Sequence, residues 1–345
     1  MNLNFMTQLL QFILGLAALI LLHELGHFLV ARLLNVEVEE FGIGFPPRLV
    51  KLFEHNGTEY TLNWIPLGGF VRPKGENDPE VEGGLAAASP WVRLAVLFAG
   101  PIMNITIGIV LGILLFYSLG DPIQSQIRIE EVSSGSPAAA AGLMQGDMIV
   151  AMNGQDINSV DKLQTLTGEN LGKPVTLTVE RNGQNQTVSL TPRENPPEPE
   201  GPMGIVLGHP TQPIGIGTAI VRGARTAMEN ARGILVLPIN LLQGTAAPEE
   251  GRFVGYRGMF EIYQQIQSPL YFFMAISISL GVLNLFPIPA LDGGRILLTL
   301  PEILLRRRIP PQYENMIHLV GFTLLLILLI YINLQDFLNP IQLPR

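Results

Sequence analysis

Three side chains inside one apolar run carry the first chemistry in this sequence. Leu21-Leu22-His23-Glu24-Leu25-Gly26-His27-Phe28 sets two imidazoles four residues apart, with a carboxylate beside the first. On a helix His23 and His27 share one face, their side-chain roots ~6 Å apart. Two neutral imidazoles so placed reach a single zinc ion at ~2.0–2.1 Å each. Glu24 stands next to them, positioned to take a proton from an activated water rather than to bind the metal. Ionisable groups are expensive in an apolar segment and mark function there by default. The spacing therefore points to hydrolysis at a zinc centre, with Glu24 as general base.

A catalytic zinc takes three protein ligands and leaves one position for water. The sequence contains no cysteine, so the missing ligand is a histidine or a carboxylate. The remaining histidines read as bystanders. His55 falls in a solvated loop, His209 beside Pro210 is structural or solvated, and His318 is interfacial at the start of the last span. The apolar stretch from Leu270 to about Leu300 is interrupted between Asn284 and Gly294 by Pro287, Pro289, Gly293 and Gly294. Irregular backbone at membrane depth is tolerated only where it is buried in protein or lines a cavity. An aspartate there needs a cationic partner, and Asp292 is therefore expected as the third ligand. Asp292 as a mere cap of the next helix is the weaker reading, because Gly293 and Gly294 make a poor first turn.

The elements that position these groups are membrane helices. Residues are 48% hydrophobic and only 14% charged, with a mean hydropathy of +0.34. A net charge of −8 argues against a nucleic-acid partner. Met1-Asn2-Leu3-Asn4 lacks the basic leader of a cleavable signal peptide, so the first apolar run is expected to be retained. Spans are expected at Phe5 to about Leu34, Leu94–Leu119, the interrupted third stretch, and Ile317–Leu334. Within the second, Gly100, Asn104, Gly108 and Gly112 recur every fourth residue and form one narrow stripe for close helix approach. Asn104 in that stripe either makes an interhelical hydrogen bond or positions substrate backbone beside the zinc; the residues alone support both equally.

Between the first two spans, Glu59–Ile65 alternates polar and apolar residues before Pro66-Leu67-Gly68-Gly69-Phe70-Val71. Alternation bounded by glycine and proline reads as a β-hairpin, whose edge could accept an extended peptide. Residues 124–208 turn soluble. Ile127–Val132 is a strand, and Gly135-Ser136-Pro137 opens a short helix. Asn153-Gly154 and Asn182-Gly183 give tight turns between further strands. The string GSPAxxAGLxxGDxIxxxNG resembles a PDZ domain. In the version of that domain found in bacterial membrane proteases the peptide-binding loop lies at the domain's end, and Met203, Gly204 and Ile205 resemble it here. Arg193–Glu200 is a proline-rich loop. Residues 209–269 form a connector containing an amphipathic helix from Ile214 to about Leu242, expected on the membrane surface.

Basic residues orient the chain. Arg48, Lys51, Arg72 and Lys74 in the first loop and Arg306-Arg307-Arg308 after the third stretch mark cytoplasmic loops. The N-terminus, the PDZ-like domain and the C-terminus then lie outside. His23, His27 and Asp292 fall together in the cytoplasmic half of the bilayer.

His23-Glu24 to His27, Ala99-Gly100-Pro101 to Asn104, and Asn284 to Leu291-Asp292-Gly293 form a set. With the inserted PDZ-like domain, this set resembles the site-2 family of intramembrane zinc metalloproteases, in the layout of the bacterial regulator-of-sigma-E protease type. The likeness covers nearly the whole chain. It implies a polytopic α-helical membrane protein with about four transmembrane helices, a membrane-associated β-hairpin and an inserted α+β PDZ-like domain. The protease core would be 1–123 and 270–345. The resemblance further implies one zinc per chain, a bacterial inner membrane, and substrates that are single-span membrane proteins such as an anti-sigma factor or remnant signal peptides. It implies that Asn104 and Asn284 hold substrate, that Gly68, Gly69 and Phe70 belong to a hairpin clamping the unwound substrate, and that a C-terminal peptide occupies the PDZ groove. Two departures stand out. One PDZ-like unit is present where the best-known proteobacterial members have two, and Val254–Met259 matches the family's glycines before the third span but not its proline.

Overall fold

The structure, a computed structural model, describes residues 3–197, 200–245, 251–266 and 268–340. Met1-Asn2, Glu198 and Pro199 of the proline-rich loop, and the C-terminal residues from Ile341 fall outside the described residues. The chain forms two compact units. One takes in the residues up to Leu115 together with Ile220–Pro340, and the other Phe116–Ala219.

The first unit is helical with one β-hairpin. Helix α1 (Leu3–Leu33), α2 (Pro90–Leu119) and α9 (Pro311–Leu338) are each long and apolar enough to cross a membrane. Leu319, Phe322, Leu326 and Ile330 of α9 are exposed, as lipid-facing side chains are. The third expected span is divided. Helix α7 (Pro269–Asn284) has 16 residues, about 24 Å and too short to cross the ~30 Å hydrocarbon core. Helix α8 (Asp292–Leu305) follows the break. The four expected spans are thus three long helices and one broken pair. Contrary to expectation, α8 does begin at Asp292, and Gly293 and Gly294 form its first turn. Both are required by space: a Cβ on Gly293 would lie 2.2 Å from the Phe286 carbonyl oxygen, and one on Gly294 2.3 Å from that of Ile288.

The small-residue stripe of α2 is fully buried. Gly108 admits Ile278 of α7, and Gly112 faces the backbone of Gly223 in α5 (Ile216–Gln243). Helix α5 therefore packs across α2, and its Ala227 joins a buried cluster with Ile278 and Val282 of α7. The surface-lying helix expected there is instead partly an interior one, since Gly223 allows a backbone approach that a hydropathy pattern does not encode. A helix the sequence reading did not anticipate, α6 (Tyr256–Gln265), sits where the Val254–Met259 segment leads. Buried Asp336 of α9 accepts from Gly255 N at 2.6 Å and Gly258 N at 3.2 Å, satisfying its N-terminal amides.

The hairpin is longer than its alternation indicated, with β1 (Val38–His55) pairing β2 (Thr58–Pro73). Residues 41–43 lie between 60–62 on one side and 69–71 on the other. The outer part of β1 carries Leu49, Val50, Leu52 and Phe53, all exposed; apolar side chains on both faces leave no period of two to read. Buried Glu40 staples the sheet. It pairs with Arg48 at 2.9 Å and Arg72 at 2.7 Å, and accepts from the Thr61 hydroxyl at 2.7 Å.

The second unit is the α+β PDZ-like domain. Its strands are β3 (Asp121–Pro122), β4 (Ile127–Val132), β5 (Met148–Met152), β6 (Gln155–Asp156), β7 (Val175–Arg181), β8 (Gln184–Leu190), β9 (Ile205–Gly208) and β10 (Thr211–Gln212). The main sheet runs β8-β7-β5-β4-β9, and β3 pairs β10 where the chain enters and leaves. Asn153-Gly154 and Asn182-Gly183 form the expected two-residue turns, all four residues having positive φ. Helix α3 (Pro137–Ala140) is capped by Ser136 and α4 (Val160–Glu169) by Ser159. Ile127, Ile129, Met152, Leu163 and Leu177 fill the core.

Candidate active site

His23 and His27 are one turn apart on α1, only 8% and 9% exposed. Gly26 between them lets α1 meet α2, since a Cβ there would lie 2.5 Å from the Ala99 carbonyl oxygen. The break before α8 brings in Asp292. Its Oδ2 lies 3.2 Å from His23 Nε2 and 3.3 Å from His27 Nε2, and the two Nε2 atoms are 3.1 Å apart. The irregular backbone carrying Asp292 is held by its own turns and by His318, whose Nδ1 accepts from Ala290 N at 3.1 Å. His318 thus supports the break rather than sitting idle at the membrane interface.

The donor set fits a metal. His27 Nδ1 lies 2.7 Å from the Val96 carbonyl oxygen, which only accepts, so the ring proton sits on Nδ1 and Nε2 presents a lone pair. Two imidazole lone pairs and a carboxylate oxygen with no hydrogen-bond partner then face one point. Tetrahedral ligands at ~2.0–2.1 Å stand ~3.3 Å apart, which these separations match. Gly100 closes the site from behind, where a Cβ would lie 2.3 Å from His27 Nε2 and 2.7 Å from His23 Nε2. Asn104, 1% exposed, puts its amide 3.2 Å from His23 Nδ1. Turned so that Oδ1 accepts the His23 Nδ1 proton, it gives a partner to an oxygen otherwise buried without one.

Glu24 points toward the hairpin. Its Oε2 accepts from Val71 N at 3.1 Å, so the outer strand of β2 holds the carboxylate beside the histidines. Gly68 and Gly69 pack on Ile20 and Leu21 of α1, one turn before His23. Phe70 lies over Gly42, with the Arg72 guanidinium 5.6 Å from its ring centre. Asn284 ends α7, and its amide donates to its own helix at Leu280 O, 3.0 Å away. In the PDZ-like unit Met203 is in the core, Gly204 N donates to Gly201 O, and Ile205 begins β9. Among the described residues, strand β9 pairs only with β4 in its sheet and ends it, leaving an open edge. The site roles of Val71, Val96 and Gly100 arise from backbone groups and helix approach, which residue type alone does not signal.

A membrane-embedded metallopeptidase is the class these features define. The profile of peptidase family M50 matches residues 11–328, and the chain belongs to that family. A Clostridium perfringens protein named as a zinc metalloprotease is 32% identical over 346 residues, covering 95% of this chain and 98% of its own. Zinc metalloprotease RasP of Oceanobacillus iheyensis is 26% identical, covering 96% and 99%. Among solved structures, the PDZ domain of an SdrC-like protein from Listeria monocytogenes is 20% identical, with a TM-score of 0.21, over 24% of this chain and 87% of that one. The protein is a zinc metallopeptidase of the membrane, and zinc is its metal.

Proposed function

We propose that the chain hydrolyses a peptide bond inside the transmembrane segment of single-span membrane proteins, such as an anti-sigma factor or a remnant signal peptide. His23, His27 and Asp292 hold the zinc, and Glu24 is the general base. The observation that carries this reading is the convergence of three metal-competent atoms within 3.3 Å of one another, with Glu24 held beside them by the hairpin edge. Zinc held by these three residues would supply Lewis-acid chemistry, polarising a carbonyl and lowering the pKa of water toward ~7. Glu24 is the group placed to take a proton from the attacking water and return it to the leaving amine. Val71 N–H fixes the direction from which the carboxylate acts.

A transmembrane helix keeps its carbonyls in internal hydrogen bonds, so the substrate must unwind before it is cut. Val71 N–H points away from the sheet, and by strand alternation so do the polar groups of Gly69. An extended substrate segment can pair along Gly68, Gly69 and Phe70. Asn104 orients His23 and, with Asn284, lies on the helices that flank the substrate path. The open edge of β9, after Met203 and Gly204, takes a C-terminal peptide. The enzyme works in a bacterial inner membrane, with its N-terminus, PDZ-like unit and C-terminus outside and the site in the cytoplasmic half. Mass spectrometry of the products from a purified single-span substrate tests this. Cuts confined to the transmembrane segment and absent with Asp292→Asn support the reading, and cuts only in soluble flanks overturn it.

A further inference from the structure

Asp292 opens a helix whose Gly293, Gly294 and Thr299 are buried but whose apolar side chains lie outside the main clusters. Among the described residues, none of the four buried apolar clusters includes a residue of α8. Leu297, Leu304 and Leu305 are exposed. Beyond the packing of its first turn, three arginine contacts fasten the region. Arg295 pairs with Glu76, Arg93 of α2 pairs with Glu302, and Arg308 donates to the Ala86 carbonyl at 2.6 Å. Two of the three run to the loop between β2 and α2.

That loop is a fixed platform. Lys74 N donates to Glu37 O at 2.9 Å, Glu37 N to Gly83 O at 3.1 Å, and Leu85 N to Lys74 O at 2.9 Å. Leu85 is buried with Ala31, Val36 and Val96 at the end of α1 and the start of α2, so the platform is continuous with the helix that carries both histidines. Arg295 lies three residues after Asp292, one turn along α8 and on the same side. An ion pair there fixes the first turn of α8, and with it the carboxylate, relative to α1. The Arg93–Glu302 pair grips the same helix ten residues past Asp292, about 15 Å along its axis.

We propose that Glu76 and Arg295 are positioning residues for Asp292: their ion pair sets the third ligand against His23 and His27. The inference rests on the assignment of Asp292 as a ligand. A group hydrogen-bonded directly to a metal ligand changes affinity by about 10- to 100-fold when lost. The Glu76–Arg295 pair acts one step further out, through the first turn of α8, so a loss at the lower end of that range is expected for Glu76→Gln and Arg295→Met.

The experiment uses the purified full-length protein and reads zinc affinity by competition with a chelator, alongside kcat and KM on a single-span reporter. Glu76→Gln should weaken zinc binding about tenfold and leave KM unchanged at saturating zinc. The exchanged pair Glu76→Arg with Arg295→Glu should recover most of the affinity. Should the exchanged protein not accumulate, Arg295→Lys, which keeps the charge, should bind zinc more tightly than Arg295→Met. Glu302→Gln should leave zinc affinity within a small factor of wild type. Zinc affinity unchanged by Glu76→Gln, or lowered equally by Glu302→Gln, overturns the proposal. Asp292→Asn separates the two ideas. If it weakens zinc binding while Glu76→Gln does not, the positioning role alone falls; if it leaves zinc binding intact, the ligand assignment falls first.

Discussion

Gly100→Ala is the sharpest perturbation of the site, because it adds one methyl group where the proposed ligands His23 and His27 converge. The new Cβ would stand 2.3 Å from His27 Nε2 and 2.7 Å from His23 Nε2. Against a contact distance of ~3.4 Å these are overlaps of about 1.1 and 0.7 Å. Neither ring can turn aside freely. His27 is held at 2.7 Å by Val96 O and His23 at 3.2 Å by Asn104. The helices α1 and α2 must therefore part by about 1 Å, whereas zinc sites hold their ligand distances to about ±0.2 Å. Overpacking of this kind costs about 1–3 kcal/mol. Released by giving up the ligand geometry, that strain lowers zinc affinity about 5- to 140-fold. Chelator competition on purified protein measures it, with reporter cleavage falling in parallel. Gly108→Ala is the control. Its Cβ would press on Ile278 Cδ1 at 2.5 Å and Cγ1 at 2.6 Å, costing stability in a cluster away from the metal site, and zinc affinity should hold. Wild-type zinc affinity and cleavage in Gly100→Ala would refute the geometry.

Other outcomes follow from the same contacts. Val71→Pro deletes the N–H that Glu24 accepts; a hydrogen bond to a charged group is worth about 1.5–3 kcal/mol, so kcat should drop about tenfold or more while zinc content stays constant. Asp336→Ala strands the amides of Gly255 and Gly258 and should cost about 1–3 kcal/mol of stability, read as a lower thermal midpoint with zinc affinity unchanged. In the PDZ-like unit, burial pushes the Asp147 carboxyl up, but Arg181 and the Met144 amide outweigh it and hold it below its usual 3.8. A lowered carboxyl stabilises the fold above the usual value and loses that contribution as pH falls through the folded one. Hydrogen-exchange protection of β5 and β7 should therefore weaken on acidification below about pH 4, and Arg181→Met should remove most of that dependence.

What the sequence shows and what it hides divide along a physical line. His23, Glu24 and His27 are readable because a one-turn spacing is local to a single helix. The break that carries Asp292 is readable because two prolines and two glycines interrupt an apolar run whose only other charge is Arg295. The two asparagine–glycine turns of the PDZ-like unit are readable because their positive φ values restrict residue choice. The contacts that finish the site are of another kind. Val71 contributes a backbone N–H and Val96 a carbonyl, and neither depends on side-chain type. Gly100 and Gly223 matter through how closely helices approach, which a stripe of small residues permits but does not aim. The outer part of the first hairpin strand, apolar on both faces, has no alternation to betray it. The start of α8 at two glycines runs against helix propensity, and close packing on the broken backbone decides it.

The most direct test of the central claim compares wild type and Glu24→Gln in proteoliposomes, measuring zinc per chain and cleavage of a single-span substrate in the same preparations. A zinc-assisted hydrolysis with Glu24 as base predicts about one zinc per chain in both and cleavage reduced by about 100- to 10,000-fold in the variant. Wild type that holds its zinc yet leaves the substrate intact, even after the outer domain is trimmed, would contradict it, as would a Glu24→Gln protein that cuts at the wild-type rate.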